Sequence, residues 1–222
     1  MRPYGQVGMF NVEIPPSSIY ESPHLRAATG TTIRPGGLAL TERGVAFCRF
    51  PSGARLLDVG CGAGATVEHL RSRYGFAAAG IDLSRLLIAE GLVRNPSLPL
   101  AEGAAEALPV EGEALDGVLC ECVLSILSEP CRALAEFHRS LRPGGYLILS
   151  DMYDRGTADR EQIETRLSES GFSILLWEDH TPMLKELAAR LILAGGTPEE
   201  FCCTTACTGG RPGYYLLIAR KA

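Results

Sequence analysis

The sequence contains little lysine and no concentration of positive charge. Only two of its 222 residues are lysines, Lys185 and Lys221, and the formal net charge is −5. Nucleic-acid-binding surfaces usually carry a basic stripe that displaces counterions from phosphate. Because no run of the chain is rich in lysine and arginine, RNA and DNA are disfavoured as partners.

Long apolar runs are also missing. No segment approaches the roughly 20 consecutive apolar residues that a transmembrane helix needs, so no membrane partner is expected. Residues 1–10 lack the charged segment and apolar core of a secretory signal. The sequence therefore predicts a cytoplasmic protein, and its 46% of hydrophobic residues favours a folded domain over disorder.

Cysteine, in contrast, is plentiful, with eight residues. In the cytoplasm these are expected to be thiols, and no pair has the Cys-x-x-Cys spacing of a zinc finger. Several are expected to be small buried apolar residues, but Cys202, Cys203 and Cys207 fall in the glycine-rich loop 201–210, which is poor core material. Soft sulfur suits zinc, copper(I), iron–sulfur clusters or arsenite. These three cysteines, with Cys122, are therefore either metal or metalloid ligands or unrelated thiols.

The hydrophobic pattern divides the chain into a cover segment, residues 1–36, and a domain, residues 37–222. Proline breaks up the cover segment, whereas short apolar runs alternate with helical patterns from residue 55 onwards. This alternation predicts βα units and a mainly parallel sheet. The strand candidates are 55–59, 77–81, 97–101, 115–120, 145–150, 172–178 and 214–220. The helix candidates are 36–50, 66–74, 83–94, 129–141, 159–170 and 182–194.

A glycine-rich turn, residues 60–64, follows the first strand candidate and leads into a helix. Glycine lets the backbone approach a ligand closely, and the first helical turn offers unpaired N–H groups. Asp58 could pair with a ligand ammonium group. Asp82, at the tip of the second strand, could accept both hydroxyls of a ribose or cap the following helix. Taken alone, Gly60-x-Gly62-x-x-Ala65 would also fit a dinucleotide-binding turn.

Four motifs in order extend this pattern: Leu57-Asp58-Val59-Gly60-Cys61-Gly62-Ala63-Gly64, Gly80-Ile81-Asp82-Leu83-Ser84, Ala105-Glu106-Ala107-Leu108-Pro109 and Leu141-Arg142-Pro143-Gly144-Gly145. Over about residues 37–180 the set resembles the class I S-adenosylmethionine-dependent methyltransferase superfamily. The resemblance implies an α/β fold: a Rossmann-like, seven-stranded, mostly parallel sheet with an antiparallel last strand and helices on both faces. It also implies S-adenosyl-L-methionine as the cofactor.

The same resemblance implies a set of cofactor-binding residues: Asp58, Gly60, Cys61, Gly62, Gly64, Asp82, Leu83, Ala104, Ala105 and Cys120. The sequence departs from the family at one of these positions. Where the family often has an aspartate that bonds to the adenine amino group, this chain has Ala104. Adenine recognition is therefore expected to rest on backbone groups near Ala104 and Ala105 and on apolar packing by Leu83.

The acceptor of the methyl group is expected at the end of the fourth strand, in Cys120-Glu121-Cys122-Val123. Ligands bind at the carboxyl ends of strands in such sheets, and methyl transfer depends on an in-line approach of the nucleophile. This segment is similar, more weakly, to arsenite methyltransferases, whose metalloid-binding Cys-Val matches Cys122. Cys122 and Glu121 are thus the catalytic candidates, with Glu121 either a base or a local ion-pair partner.

The sequence therefore predicts methyl transfer to a small molecule, with a thiol or a metalloid as the sharper hypothesis. A noncatalytic S-adenosylmethionine-binding module that acts with a partner protein is the alternative. A nicotinamide-dependent oxidoreductase is a second alternative.

Overall fold

The computed structural model describes residues 23–197 and 210–222. Most of the predicted cover segment and the candidate ligands Cys202, Cys203 and Cys207 therefore lie outside the described residues. The strands are β1 (Arg55–Val59), β2 (Ala77–Asp82), β3 (Leu100–Glu102), β4 (Leu115–Glu121), β5 (Leu141–Asp154), β6 (Phe172–Asp179) and β7 (Pro212–Lys221). The α-helices are α1 (Pro23–Thr29), α2 (Ala39–Cys48), α3 (Ala65–Tyr74), α4 (Arg85–Arg94), α5 (Pro130–Ser140), α6 (Asp159–Glu169) and α7 (Thr181–Leu193).

The strands form one sheet in the order β3-β2-β1-β4-β5-β7-β6. The pairs among β1 to β5 are parallel, whereas β7 runs antiparallel between β5 and β6. The predicted seven-stranded, mostly parallel sheet with an antiparallel last strand is confirmed. Because β1 lies between β2 and β4, the carboxyl ends of these three strands meet at one edge.

Apolar side chains on each strand alternate between two cores, one on each face of the sheet. On β1, Leu56 belongs to the core that also contains residues of helices α1, α2, α3, α4 and α7, whereas Leu57 belongs to the core that contains residues of α5 and α6. Both leucines are almost fully buried. The prediction of helices on both faces is therefore also confirmed. Among the residues described, no helix is both long enough and apolar enough to cross a bilayer.

Several element boundaries differ from those predicted. Helix α2 starts at Ala39 rather than at residue 36, because Gly36 and Gly37 adopt positive φ angles, +71° and +55°, that a right-handed helix excludes. Strand β3 starts at Leu100 rather than at residue 97, since Pro99 has no N–H to donate to a neighbouring strand. The end of the predicted irregular cover segment contains helix α1 and a 3₁₀ turn at Gly30–Thr32.

Candidate active site

A cavity of about 370 Å³ opens at the edge where β1, β2 and β4 end. Four parts of the sheet edge form its walls: the glycine turn, the start of α4, residues 103–106 and the segment after β4. Residues 31–34, which precede α2, form the remaining wall. The cavity is thus built by elements that the strand order brings together and by a segment that precedes the sheet.

The glycine turn is held against the tip of β2 by its own backbone. The N–H groups of Gly60 and Cys61 both donate to the carbonyl oxygen of Ile81, at 2.8 and 3.0 Å. Gly60 has a φ of +75°, and a Cβ atom there would lie 2.1 Å from Cγ2 of Val123. Only glycine fits this position, because both the backbone conformation and the contact with the segment after β4 exclude a side chain.

Asp82 links the glycine turn to the start of helix α4. Its Oδ2 accepts a hydrogen bond from the Gly62 N–H at 2.8 Å, and its Oδ1 accepts one from the Ser84 N–H at 2.7 Å. The N-cap of α4 is Ser84, whose hydroxyl accepts from the Leu87 N–H. Ser84 thus provides the cap for which Asp82 was the alternative candidate, and Asp82 lines the cavity.

Asp58 is a buried carboxyl group at the end of β1, and no described residue donates a hydrogen bond to it. Burial raises the pKa of Asp58 to about 8; the carboxylates of Glu121 and Asp82 add to this rise, and the Arg34 guanidinium opposes it. A buried polar group without a hydrogen-bond partner is costly, so the site is electrostatically incomplete. A cation placed next to Asp58 would complete it.

Arg34 and Glu121 form a buried ion pair that joins the segment before α2 to the tip of β4. The guanidinium Nη2 lies 2.9 Å from Oε2 of Glu121 and donates to the hydroxyls of Thr41 and Thr66, at 2.7 and 2.9 Å. The Thr41 hydroxyl lies 3.0 Å from the same carboxylate oxygen. Although burial works against the charge, Glu121 and Asp58 raise the pKa of Arg34. The guanidinium therefore keeps its charge inside the protein.

Cys122 follows β4 directly, with a positive φ of 60° that is uncommon for a side-chain-bearing residue. Its Sγ lies 3.1 Å from the Tyr214 hydroxyl, which donates in turn to Ser150 Oγ at 3.2 Å. Burial raises the pKa of Cys122 well above its ordinary value, and Asp151 adds to the rise. The group at the cavity wall is accordingly a neutral thiol, not the thiolate that soft metals bind.

Comparisons with known proteins agree with this geometry. Residues 57–149 match a family model described as a methyltransferase domain. The structure of phosphoethanolamine N-methyltransferase 2 from Haemonchus contortus with S-adenosyl-L-methionine superposes on 92% of this chain and 57% of its own, with a TM-score of 0.73 and 22% identity. Residues 57–149 are thus part of a methyltransferase domain, and the chain has the fold of S-adenosylmethionine-dependent methyltransferases. The resemblance to arsenite methyltransferases remains a hypothesis.

Two further proteins show how far relatives of this methyltransferase domain diverge. Phthiotriol/phenolphthiotriol dimycocerosates methyltransferase 1 of Mycobacterium ulcerans is 38% identical over 104 residues, which are 46% of this chain and 38% of that protein. The [4+2]-cyclase SpnF has a TM-score of 0.69 and 26% identity, over 82% of this chain and 80% of its own. The chain spans about half the length, or less, of the curated relatives it matches.

Within the methyltransferase domain, the structure brings most of the predicted site residues to one cavity. Those that line it are Gly60, Cys61, Gly62, Asp82, Leu83, Ala105, Glu121 and Cys122. Asp58, Gly64, Ala104 and Cys120 are not among the lining residues. Within the two described ranges, no group of three or more His, Cys, Asp and Glu side chains is placed to hold a metal ion.

Sequence reasoning did not find the buried pairing of Arg34 with Glu121. The available signal was a single charged residue in the otherwise uncharged stretch 27–41. An isolated arginine among small and apolar residues either faces solvent or finds a buried partner, and its partner here lies in a distant part of the sequence.

Proposed function

We propose that the protein transfers a methyl group from S-adenosyl-L-methionine to a small-molecule acceptor. The observation that carries the proposal is the Asp58 carboxyl, buried without a donor beside a glycine turn to which Asp82 is hydrogen-bonded. Such a site lacks a cation at one end and offers a carboxylate at the other. An adenosyl amino acid has an ammonium group and a ribose at matching positions.

Four of the ten predicted cofactor residues have a distinct task in this proposal. Asp58 receives the ammonium group, and Asp82 accepts the ribose hydroxyls while keeping its backbone donors. The N–H groups at the start of α3 face the carboxylate of the amino acid. Leu83 and Ala105, both at the cavity wall, pack against the adenine. When bound, the cofactor supplies a methyl group activated on a sulfonium.

The segment after β4 is placed to position the acceptor. Val123, Ile126 and Leu127 give the cavity an apolar wall that excludes water from the reacting groups. Asp151 holds this segment, because its two carboxylate oxygens accept from the Ser125 N–H and hydroxyl, at 2.8 and 2.7 Å. Positioning is the main demand of the reaction, since the displacement proceeds in line at one carbon.

A thiol or metalloid acceptor is the finer form of the proposal. Support comes from Cys122 at the cavity wall and from its contact with Tyr214 on β7, the strand that follows the cysteine-rich segment 201–210 in the sequence. We expect arsenite or small thiols to be methylated by the wild-type protein and much less by Cys122→Ala, with Cys131→Ala, an exposed thiol, as the control.

The proposed function is tested by cofactor binding and by transfer of label. S-adenosylhomocysteine should raise the melting temperature of the protein in a thermal-shift assay, whereas NAD should not. The reason is that a ligand stabilises the folded state only where the folded state binds it. In a second assay, the protein should transfer labelled methyl groups from S-adenosyl-L-methionine to at least one member of a panel of small acceptors. Stabilisation by NAD alone would support the oxidoreductase alternative and overturn the proposal.

A role other than methyl transfer has one observation in its favour: SpnF, which shares this fold, is named for a cyclisation. A fold does not by itself determine the reaction. Tight binding of S-adenosylhomocysteine without methyl transfer to any acceptor of the panel would favour a cofactor-binding module that acts with a partner protein.

A further inference from the structure

The charges around the cavity limit the chemistry of the acceptor, an inference that rests on the proposed function. Among the described residues, the charged side chains that line the cavity are the acidic Asp82, Glu106 and Glu121 and the basic Arg34. Asp58 adds a fourth carboxyl group in the strand beneath. Acidic groups therefore outnumber basic ones at this site.

The single arginine is not available as an anion receptor. Its Nη2 is shared by Glu121 and two threonine hydroxyls, and its Nε donates to the Gly37 carbonyl oxygen at 3.1 Å. The Glu121 carboxylate acts on the guanidinium electrostatically more strongly than any other described charge. A phosphate or carboxylate brought to Arg34 would have to compete with this anion at close range, where like charges repel strongly.

The parts of the chain outside the described ranges offer few further cations. Residues 198–209 contain neither lysine nor arginine, and residues 1–22 contain only Arg2. Neither segment contains histidine. Recognition of phosphate groups normally uses several arginine or lysine side chains, and neither of these two segments contains such a cluster.

The uncharged part of the wall is mostly apolar. Ile33 from the segment before α2 and Val123, Ile126 and Leu127 from the segment after β4 all line the cavity. We infer that the acceptor is an uncharged, largely apolar molecule that enters the cavity without a phosphate or carboxylate group, so that of the two acceptor classes proposed above a thiol with an apolar body is favoured over arsenite. Phosphoethanolamine N-methyltransferase, which shares the fold, is named for a phosphorylated compound. The inference therefore gives this chain a different class of acceptor from the one in that protein's name.

A pair of dyes that differ by one anionic group tests the inference without knowledge of the natural acceptor. N-phenyl-1-naphthylamine is uncharged, and 8-anilinonaphthalene-1-sulfonate is the same ring system with a sulfonate. We expect the full-length protein, saturated with S-adenosylhomocysteine, to bind the uncharged dye at least tenfold more tightly in fluorescence titrations. Equal or tighter binding of the sulfonate overturns the inference, and so does failure to bind the uncharged dye, because the wall would then hold no apolar molecule.

A charge variant identifies the site of dye binding. Ser128 lines the cavity and its side chain is exposed, so a longer side chain can be accommodated there. Ser128→Lys should improve sulfonate binding about tenfold relative to the uncharged dye, whereas Ser128→Gln, of similar length, should not. An unchanged preference in Ser128→Lys would show that the dyes bind elsewhere and would overturn the inference. Failure of the proposed function would show separately, as absence of S-adenosylhomocysteine binding.

Discussion

At the scale of single residues, three carboxyl groups of the site differ through their surroundings. Asp58 is buried without a donor, Asp82 accepts two backbone N–H groups, and Glu121 faces a guanidinium. Burial, hydrogen bonds and nearby charge each shift the balance between the charged and neutral forms of a carboxyl. The three therefore act differently: Asp58 as an uncompensated acid, Asp82 as a fixed acceptor and Glu121 as half of an ion pair.

The raised pKa of Asp58 predicts that cofactor binding depends on pH. In the ligand-free protein the group is protonated at neutral pH, because its pKa is about 8. A bound ammonium favours the carboxylate and lowers that pKa, so binding releases a proton and the affinity rises with pH until about pH 8. Isothermal titration with S-adenosylhomocysteine from pH 6 to pH 9 measures this rise.

Asp58→Asn provides the control for this pH dependence. The variant cannot titrate at position 58, while every other ionisable group of the protein and of the ligand is unchanged. We expect it to bind more weakly at pH 8 and to lose the part of the pH dependence that Asp58 causes. Identical pH profiles in the two proteins would contradict the assignment of Asp58 to the ammonium group.

Substitution of Asp82 tests the other end of the cofactor. Asp82→Ala should weaken S-adenosylhomocysteine binding by at least about 1.5 kcal/mol, as expected for the loss of charge-assisted hydrogen bonds. Asp82→Asn keeps one acceptor oxygen and should lose less. Titration of both variants, with thermal melts of the ligand-free proteins to show that they fold, makes the comparison. An unchanged dissociation constant in Asp82→Ala would rule out the ribose contact.

Residues close in sequence could be assigned to the site, but partners far apart could not. The glycine turn and Asp82 were predictable because a strand, a turn and a helix in succession fix their relative positions. The ion pair of Arg34 with Glu121 was not, since it depends on how the segment before α2 folds over the end of β4. Pairing across such a distance depends on tertiary packing, which a single sequence does not reveal.

At the scale of elements, the hydrophobic pattern predicted the sheet well and its boundaries less well. Every strand candidate corresponds to a strand, since runs such as Leu56–Val59 must be covered on both faces. Local backbone effects explain the errors in the predicted boundaries. Glycines at positive φ delayed the start of α2, and β5 extends to Asp154 because it pairs with β7 as far as Pro212.

The turn between β1 and α3 gives a prediction at this scale. In Gly60→Ala a Cβ atom at positive φ would also collide with Val123. Gly53 has a φ of +73°, and a Cβ atom at this position would have no neighbouring atom within 4 Å, so Gly53→Ala measures the backbone strain alone. The strain costs about 1–2 kcal/mol. We expect Gly60→Ala to lower the free energy of urea unfolding by clearly more than Gly53→Ala.

Val123→Ala separates the collision from the strain. It removes the colliding Cγ2, so in the double variant with Gly60→Ala the loss of stability should be smaller than the sum of the single losses. The coupling between such contacting residues is expected to exceed about 0.5 kcal/mol. Strict additivity would show that the turn and the segment after β4 do not press on each other in solution.

At the scale of the whole molecule, the segment before the sheet completes the site. Helix α1 is joined to α4 by the ion pair of Arg26 with Glu90, and residues 31–34 form one wall of the cavity. The ion pair of Arg34 with Glu121 joins the same segment to the end of β4, at the centre of the sheet edge. Removal of the segment would thus open the cavity and also leave Glu121 buried without its cation.

A double-mutant cycle on Arg34 and Glu121 measures this connection. Removing one member of a buried ion pair leaves an unpaired charge and typically costs about 3–5 kcal/mol, whereas replacing both partners can cost much less. Arg34→Met and Glu121→Gln should each lower the free energy of urea unfolding strongly, and the double variant should lose less than the sum of the two. The exposed pair Arg160 with Glu164, one helical turn apart, is the matched control, with an expected coupling of about 0.3–0.5 kcal/mol.

Because both members of the buried pair line the cavity, S-adenosylhomocysteine affinity should fall in parallel with stability in the single variants. Additive effects at positions 34 and 121 would mean that the segment before α2 does not depend on the sheet for its position.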